Sequence, residues 1–122
     1  MKILYADGFN IQSNPSPVGG GYTITDEHGT VIKQETIYKS GWTNNEAELL
    51  GVLEALKLID AGGEVYTDSM NTIRWVASGR PKARPDLTSQ VKEAKDLISM
   101  KDIKLAFVPR EENLAGLENE RR

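Results

Sequence analysis

Two glutamates lie two residues apart in the stretch TNNEAELLG, at the start of an apolar segment. Thr43 is a good helix N-cap, and Glu46 follows it at the spacing of a capping box. A helical rotation of about 100° per residue puts Glu48 inside the apolar arc and Glu46 outside it. A carboxylate on an inward face is costly unless it is paired or binds a cation. We therefore predict a capping role for Glu46 and a ligand role for Glu48, with a solvated helix-edge position as the alternative for Glu48.

Two aspartates also occupy unusual positions. Asp7 lies amid apolar strand residues in LYADGF, and Asp68 ends a short strand in VYTDS. An Asx turn for Asp7 and a helix N-cap for Asp68 are the ordinary alternatives. Two strand acids and one acid on a helix that covers the sheet can converge, however, and their repulsion is relieved by hard cations such as Mg²⁺, which prefer oxygen ligands. His28 lies in a turn and the chain has no cysteine, so no His/Cys site competes.

These acids require strands and helices that bring them together. The patterns predict strands at 2–9, 22–25, 31–38, 64–69 and 103–109, a loop at 10–21, and helices at about 44–60, 70–78, 87–100 and from 111 onward. The predicted order is βββαβααβα. It indicates an antiparallel three-stranded meander followed by parallel additions to one sheet.

The length fits one domain over residues 1–122, which the element order makes α/β, and its 39% apolar and 27% charged residues are ordinary for a globular protein. The net charge of −3 argues against indiscriminate nucleic-acid binding but allows a local basic patch. No apolar run is long enough to span a membrane. The absence of cysteine is compatible with a reducing compartment, and we expect a cytoplasmic protein. We also expect a monomer in solution.

Four short motifs occur in register along the chain: Asp7-Gly8, TNNEAE ending at Glu48, TDS with Asp68, and VPREEN near the C-terminus. With them the sequence resembles type 1 ribonuclease H over nearly its whole length. The resemblance implies a five-stranded mixed sheet flanked by helices. It implies hydrolysis of the RNA strand of RNA–DNA hybrids to 5′-phosphate and 3′-hydroxyl ends. It also implies that Asp7, Glu48 and Asp68 are the catalytic ligands of two Mg²⁺ ions, with Mn²⁺ as the alternative metal.

The sequence departs from the family at the fourth acid. Members normally carry an Asp after an Ala at the start of the last helix, where this chain has Gly116 in NLAGLENE. Glu120 lies about one helical turn beyond Gly116 on the same face, whereas Glu118 is turned away. Some relatives that read NLAG have a Glu at this spacing. We therefore expect Glu120 to be the fourth catalytic and metal-binding residue, with Glu118 second and a three-carboxylate site third.

The resemblance also implies contacts with the hybrid from Asn14, Thr43, Asn44 and Asn45, whose short polar side chains suit the shallow minor groove. For the last three, helix capping is the ordinary alternative.

Basic residues supply a second set of nucleic-acid contacts. The segment GRPKARPD offers Arg80, Lys82 and Arg84 as contacts to the DNA strand, with a solvated charged loop as the alternative. Arg110 lies where some relatives carry a loop histidine. Trp75 is either a core residue or a wall of the substrate groove.

Two other functions compete with a hybrid-specific nuclease. One is a non-catalytic nucleic-acid-binding module on the same fold, which the joint presence of Asp7, Glu48 and Asp68 disfavours. The other is a DNA-directed nuclease, whose relatives usually carry longer insertions and additional domains.

Overall fold

Five strands form a single mixed sheet in the computed structural model, which describes residues 1–121. The strands are β1 (Ile3–Asn10), β2 (Gly19–Asp26), β3 (Val31–Tyr38), β4 (Glu64–Thr67) and β5 (Lys104–Phe107). The helices are α1 (Asn44–Leu58), α2 (Met70–Ser78), α3 (Thr88–Lys101) and α4 (Leu114–Glu120), with 3₁₀ turns at Pro85–Leu87 and Arg110–Glu112. The predicted element order is confirmed.

The spatial order of the strands is β3-β2-β1-β4-β5. The pairs β1–β2 and β2–β3 are antiparallel, and the pairs β1–β4 and β4–β5 are parallel. This is the predicted meander with two parallel additions. Because β1 and β4 are parallel neighbours, their carboxyl ends meet at one edge of the sheet, and Asp7 and Asp68 both lie toward that edge.

The core lies between the sheet and three helices. Alternate residues of the strands point to α1, including Leu4, Ile24 and Val65, which are fully buried. The apolar face of α1 covers them with Val52 and Leu56, and α2 and α3 complete the layer. Of the two alternatives for Trp75, the structure supports the core, since its side chain is 7% exposed and packs in this cluster.

On the other face of the sheet, α4 packs on β1 and β2. No helix within residues 1–121 has both the length and the apolarity to cross a membrane.

The predicted start of β2 is wrong, because the strand begins at Gly19 and not at Tyr22. Glycine is depleted in strands and marks turns, so the GGG run by itself predicts a loop. Here close packing requires it. A Cβ on Gly20 would lie 2.1 Å from the carbonyl oxygen of Phe9, and one on Gly21 would lie 1.9 Å from that of Glu35.

The predicted end of α1 also differs, since the helix ends at Leu58 and not near Asp60. Ile59 leaves the helical conformation, with ψ at 145°, and is 2% exposed in the core. Its backbone N–H still donates to the Ala55 carbonyl oxygen, so Ile59 is the C-cap of α1.

Adding a methyl group at Gly21 should destabilise the fold strongly. Gly21→Ala is expected to lower the free energy of unfolding by about 3 kcal/mol, because the new Cβ would overlap backbone atoms of β3. Gly29→Ala is the matched control. It adds the same group where nothing lies within 4 Å, and only the left-handed φ of +81° opposes it, at a cost of about 1 kcal/mol. Urea unfolding measures both, and a larger loss for Gly29→Ala would contradict this account.

Candidate active site

Gly8 of β1 holds Glu48 of α1 in place. Its backbone N–H donates a hydrogen bond to Glu48 Oε1 at 2.7 Å. A Cβ on Gly8 would lie 2.5 Å from the carbonyl carbon of Ala47, so only glycine allows the helix to approach the strand this closely. The side chain of Glu48 is buried there, with the residue 5% exposed. The prediction that Glu48 faces inward is confirmed.

Glu46 is buried although its position lies outside the apolar arc of α1. Glu46 is 8% exposed, and two cations from outside α1 pair with its carboxylate. Lys39 Nζ lies 2.8 Å from Glu46 Oε2, and Arg84 Nη2 lies 3.3 Å from Glu46 Oε1. The capping relation is present in one direction, since the Glu46 N–H donates to Thr43 Oγ1 at 3.2 Å. The Glu46 carboxylate is therefore part of an ion-pair network beside the helix start.

Asp68 follows β4 and is not the cap of the next helix. Ser69 has that role, since its hydroxyl oxygen accepts a hydrogen bond from the Thr72 N–H at 3.1 Å. The alternative role of Asp68 as a helix N-cap is therefore excluded. The half-buried Asp68 carboxylate is left to line the cleft at the edge of the sheet.

Asp7, Glu48 and Asp68 converge in this cleft, which has a volume of about 570 Å³. One carboxylate oxygen from each residue lies within 4.8 Å of the other two. Three acids from a central strand, the strand beside it and the covering helix therefore form one cluster, as the sequence analysis expected.

The cluster is electrostatically unfavourable without a counter-charge. Burial raises the pKa of Asp7 to about 6, with a further upward contribution from the Asp68 charge, while a hydrogen bond from Asn119 acts in the opposite direction. Burial and the charges of Asp7 and Asp68 raise the pKa of Glu48 well above its ordinary value. Burial also raises the pKa of Asp68, against the opposing effects of Asn113 and Arg110.

The donor set fits a divalent cation. Glu48 Oε2 is buried and has no hydrogen-bond partner among residues 1–121, which is a costly state for a carboxylate oxygen. All three side chains offer the hard oxygen ligands that Mg²⁺ and Mn²⁺ take. A cation between the three carboxylates would satisfy the orphaned oxygen and remove the repulsion.

Glu120 lines the same cleft but lies outside the three-carboxylate cluster. Its Oε1 is 3.6 Å from Arg110 Nε, and its side chain is largely exposed. Glu118 lies 3.6 Å from Arg121 Nη1. The fourth-ligand role of Glu120 stays a prediction.

The residue of α4 that reaches Asp7 is Asn119, which the sequence analysis did not single out. Asn119 Nδ2 donates to Asp7 Oδ2 at 2.8 Å. Asn119 lies three residues after Gly116, and this spacing puts both on one helix face. A Cβ on Gly116 would lie 3.5 Å from Asp7 Cγ, so that face rests directly on Asp7. A search at the three-residue spacing as well as the four-residue spacing would have found Asn119.

The predicted minor-groove residues form a group beside the cleft. Asn14, Asn44 and Asn45 are exposed, and Asn44 lines the cleft itself. Asn14 Oδ1 accepts hydrogen bonds from the Asn44 N–H at 3.0 Å and from Asn10 Nδ2 at 3.1 Å. The loop after β1 is thereby fixed to the start of α1, where Thr43 is the cap.

The three predicted basic residues after α2 separate into two environments. Arg84 donates to Thr43 Oγ1 at 2.8 Å and forms ion pairs with Glu46 and Asp86, so its charge is used within the protein. Arg80 and Lys82 instead line a second cleft of about 590 Å³ together with Lys92 and Lys95 of α3.

The raised pKa values predict a pH-dependent stability of the metal-free protein. In the folded state the pKa of Asp7 is raised from its ordinary value of 3.8 to about 6. Between these two pH values the folded state binds more protons than the unfolded state, so the stability of the protein falls as the pH rises from one to the other. Glu48→Gln keeps an acceptor for Gly8 and removes one charge. Metal-free Glu48→Gln should therefore be more stable than the wild type at pH 7 by about 1–3 kcal/mol, and the difference should shrink toward pH 4. Urea unfolding in EDTA measures it, and a pH-independent difference would contradict the prediction.

Comparison with known proteins agrees with this arrangement. The family profile described as RNase H matches residues 1–121. The "Bifunctional protein Rv2228c" of Mycobacterium tuberculosis (strain ATCC 25618 / H37Rv) is 33% identical over 120 residues, covering 93% of this chain and 33% of that protein, so the chain spans about a third of its length. The "Ribonuclease H" of Syntrophomonas wolfei subsp. wolfei (strain DSM 2245B / Goettingen) is 35% identical over 80 residues, covering 63% of this chain and 53% of the relative.

A solved structure agrees over nearly the whole length. LC11-RNase H1, in a crystal structure with an RNA/DNA hybrid, is 29% identical and superposes with a TM-score of 0.68, covering 98% of this chain and 95% of that one. With the profile matched from residue 1 to 121 and the same fold in the relative, the chain belongs to the ribonuclease H family.

Proposed function

We propose that this protein is a metal-dependent endoribonuclease that hydrolyses the RNA strand of RNA–DNA hybrids and leaves 5′-phosphate and 3′-hydroxyl ends. The observation that carries the proposal is the convergence of Asp7, Glu48 and Asp68, with a buried Glu48 oxygen that lacks a partner among residues 1–121. The hybrid bound to the related LC11-RNase H1 supports the choice of substrate.

The three carboxylates are the residues that would hold two Mg²⁺ ions, or Mn²⁺ in their place. When bound, such ions lower the pKa of an attacking water and stabilise the charge of the leaving 3′-oxygen. The protein contributes the placement of the ligands. The Gly8 N–H fixes the Glu48 carboxylate, and β1 and β4 bring Asp7 and Asp68 to the same edge. Glu120, at the side of the cleft with Arg110, is the predicted fourth ligand.

Recognition of the hybrid is assigned to the amides beside the cleft. The side-chain oxygen of Asn14, Oδ1, accepts hydrogen bonds from Asn44 and Asn10. The side-chain NH₂ group of Asn14 is therefore the part that can donate to a substrate. Asn44 and Asn45 are exposed on the first turn of α1. Short amides of this kind suit the 2′-hydroxyls and base edges of a shallow minor groove, and a helix N-terminus favours phosphate.

A non-catalytic binding module is the weaker alternative. Such a module gains nothing from three acids that repel one another in a half-buried cleft, and neutral side chains there would make the fold more stable. A DNA-directed nuclease would retain the acids, so only the substrate distinguishes it from the proposed enzyme.

Glu48 and Glu46 should differ sharply in cleavage assays. Glu48→Gln is expected to lower Mg²⁺-dependent hybrid cleavage by at least about 10²-fold, since it removes a ligand charge at the reacting centre. Glu46→Gln is the matched control. It should stay active and lose about 1–2 kcal/mol of stability, because Lys39 and Arg84 lose a charged partner. An active Glu48→Gln beside an inactive Glu46→Gln would contradict the assignment.

The same assay tests the substrate. One base sequence is presented as hybrid, duplex RNA and duplex DNA, with Mg²⁺ and with EDTA. Metal-dependent cleavage of the hybrid is expected, and a comparable rate on duplex DNA would refute hybrid specificity.

Salt dependence should show whether Arg80 and Lys82 touch the nucleic-acid backbone. Affinity falls as salt rises, and each lost phosphate contact reduces the magnitude of the slope of log affinity against log salt by about 0.7–0.9. The double variant Arg80→Gln/Lys82→Gln, made in the Glu48→Gln background to prevent cleavage, should therefore flatten the slope for hybrid binding. Lys2→Gln is the control, because Lys2 precedes β1 at the end of the sheet opposite the cleft. If Glu48→Gln alone, the double variant and the Lys2→Gln control all give equal slopes, the second cleft does not contact the hybrid.

A further inference from the structure

Asn119 is the side chain of α4 that contacts the carboxylate cluster by a hydrogen bond. Its Nδ2 donates to Asp7 Oδ2 at 2.8 Å, and its Oδ1 accepts from Thr23 Oγ1 at 2.5 Å. One amide therefore joins a cluster carboxylate to a strand residue, and both of its polar ends are used.

Thr23 lies where it can fix the direction of that amide. It is fully buried on β2, opposite Asp7 of β1 and Gln34 of β3 in the two strand registers. Its Oγ1 accepts from Gln34 Nε2 at 2.7 Å and donates to Asn119 Oδ1. A hydroxyl has one hydrogen, and Gln34 Nε2 can only donate. The Thr23 hydrogen is therefore directed at Asn119, which requires the carbonyl end of Asn119 toward Thr23 and its NH₂ end toward Asp7.

The donors thus run in one direction, from Gln34 through Thr23 and Asn119 to Asp7. This series of hydrogen bonds ends on Asp7 Oδ2, which can only accept a hydrogen bond when the carboxylate is ionised. It occupies one Asp7 oxygen, so one rotamer of Asp7 is favoured and its second oxygen is left for a cation. Asn119 does this without adding a fourth negative charge beside Asp7, Glu48 and Asp68.

The approach of α4 makes this contact feasible. Gly116 lies on the same helix face as Asn119. A Cβ placed on Gly116 would lie 3.5 Å from Asp7 Cγ. Asn113 anchors the start of the helix, since its Nδ2 donates to the Ala6 carbonyl oxygen at 3.0 Å and its Oδ1 caps Ala115. The helix is therefore held against β1 at both ends.

We propose that Asn119 is a positioning residue for Asp7, and that Thr23 acts through Asn119 by setting the orientation of its amide. The inference rests on the proposed function, because Asp7 is positioned here to bind a divalent cation. Hydrogen-bond partners of metal ligands typically contribute about 10- to 100-fold to metal affinity or activity.

The test is calorimetric titration of the metal-free protein with Mn²⁺, at a temperature at which circular dichroism shows every variant folded. Asn119→Ala is expected to raise the Mn²⁺ dissociation constant about 10-fold, and Thr23→Val, which keeps the shape of the side chain and removes its hydroxyl, about 3-fold. The Thr23→Val/Asn119→Ala double variant should bind Mn²⁺ no more weakly than Asn119→Ala alone, because both changes break the same series of hydrogen bonds. Thr23→Ser, which keeps the hydroxyl, should restore wild-type affinity.

Thr25→Val is the matched control. Thr25 is fully buried two residues farther along β2, and its Oγ1 makes no hydrogen bond within residues 1–121. Removing this hydroxyl should leave the Mn²⁺ dissociation constant unchanged. A role of Asn119 in stability alone would lower the melting temperature of Asn119→Ala without changing its metal affinity in the folded state.

The outcomes separate this inference from the proposed function. A wild type that binds Mn²⁺ and cleaves the hybrid, with Asn119→Ala within about twofold of its dissociation constant, overturns the positioning role alone. Fully multiplicative effects of Thr23→Val and Asn119→Ala overturn the connection between them. A wild type that neither binds Mn²⁺ nor cleaves the hybrid overturns the proposed function, and this inference with it.

Discussion

The contact between α1 and β1 at Gly8 is the constraint on which the site depends. The helix backbone at Ala47 comes so close to Gly8 that no side chain fits between them. The approach continues along the helix at Gly51, where a Cβ would lie 3.1 Å from the Cβ of Tyr22. Small residues on the inner face of α1 therefore bring the whole helix onto the sheet. Glu48 follows Ala47 directly, so the same contact buries its carboxylate and gives it the Gly8 N–H as a partner.

This burial has an electrostatic cost that the rest of the fold must offset. Burial raises the pKa of Asp7, Glu48 and Asp68, and the charges of neighbouring acids add to the rise for Asp7 and Glu48. The cluster is nevertheless held, because each acid is fixed by an element with other strong contacts. β1 is the central strand, with partners on both sides, and α1 buries an apolar face across the sheet. Local instability at functional sites is common where a rigid scaffold determines their geometry.

The sequence predicted those parts of the site that depend on local patterns. The helical period alone put Glu48 inward, and the strand pattern put Asp7 within one strand and Asp68 at the end of another. It did not predict the burial of Glu46, because Lys39 and Arg84 reach it from segments whose positions depend on the folded chain. The strand glycines of β2 were missed for a similar reason. Gly20 and Gly21 are required by the neighbouring strands and by Trp42, not by their own backbone angles. Helical spacing from Gly116 makes both Asn119 and Glu120 candidates for the contact with Asp7, and the docking of α4 decides between them, since Asn119 is the one that donates a hydrogen bond to Asp7.

The charges that line the cleft favour a bound cation. Among the described residues of the lining, Asp7, Glu48, Asp68 and Glu120 are acidic, and Arg110 is the one basic side chain. Arg110 lies beside Glu120 at the side of the cleft, so its charge is partly compensated there. A phosphate group that approached this lining would meet net negative charge in a half-buried space, where repulsion is weakly screened. The lining can therefore accept a nucleic-acid backbone only together with positive charge, and the buried oxygens of the three clustered acids are where that charge is best bound.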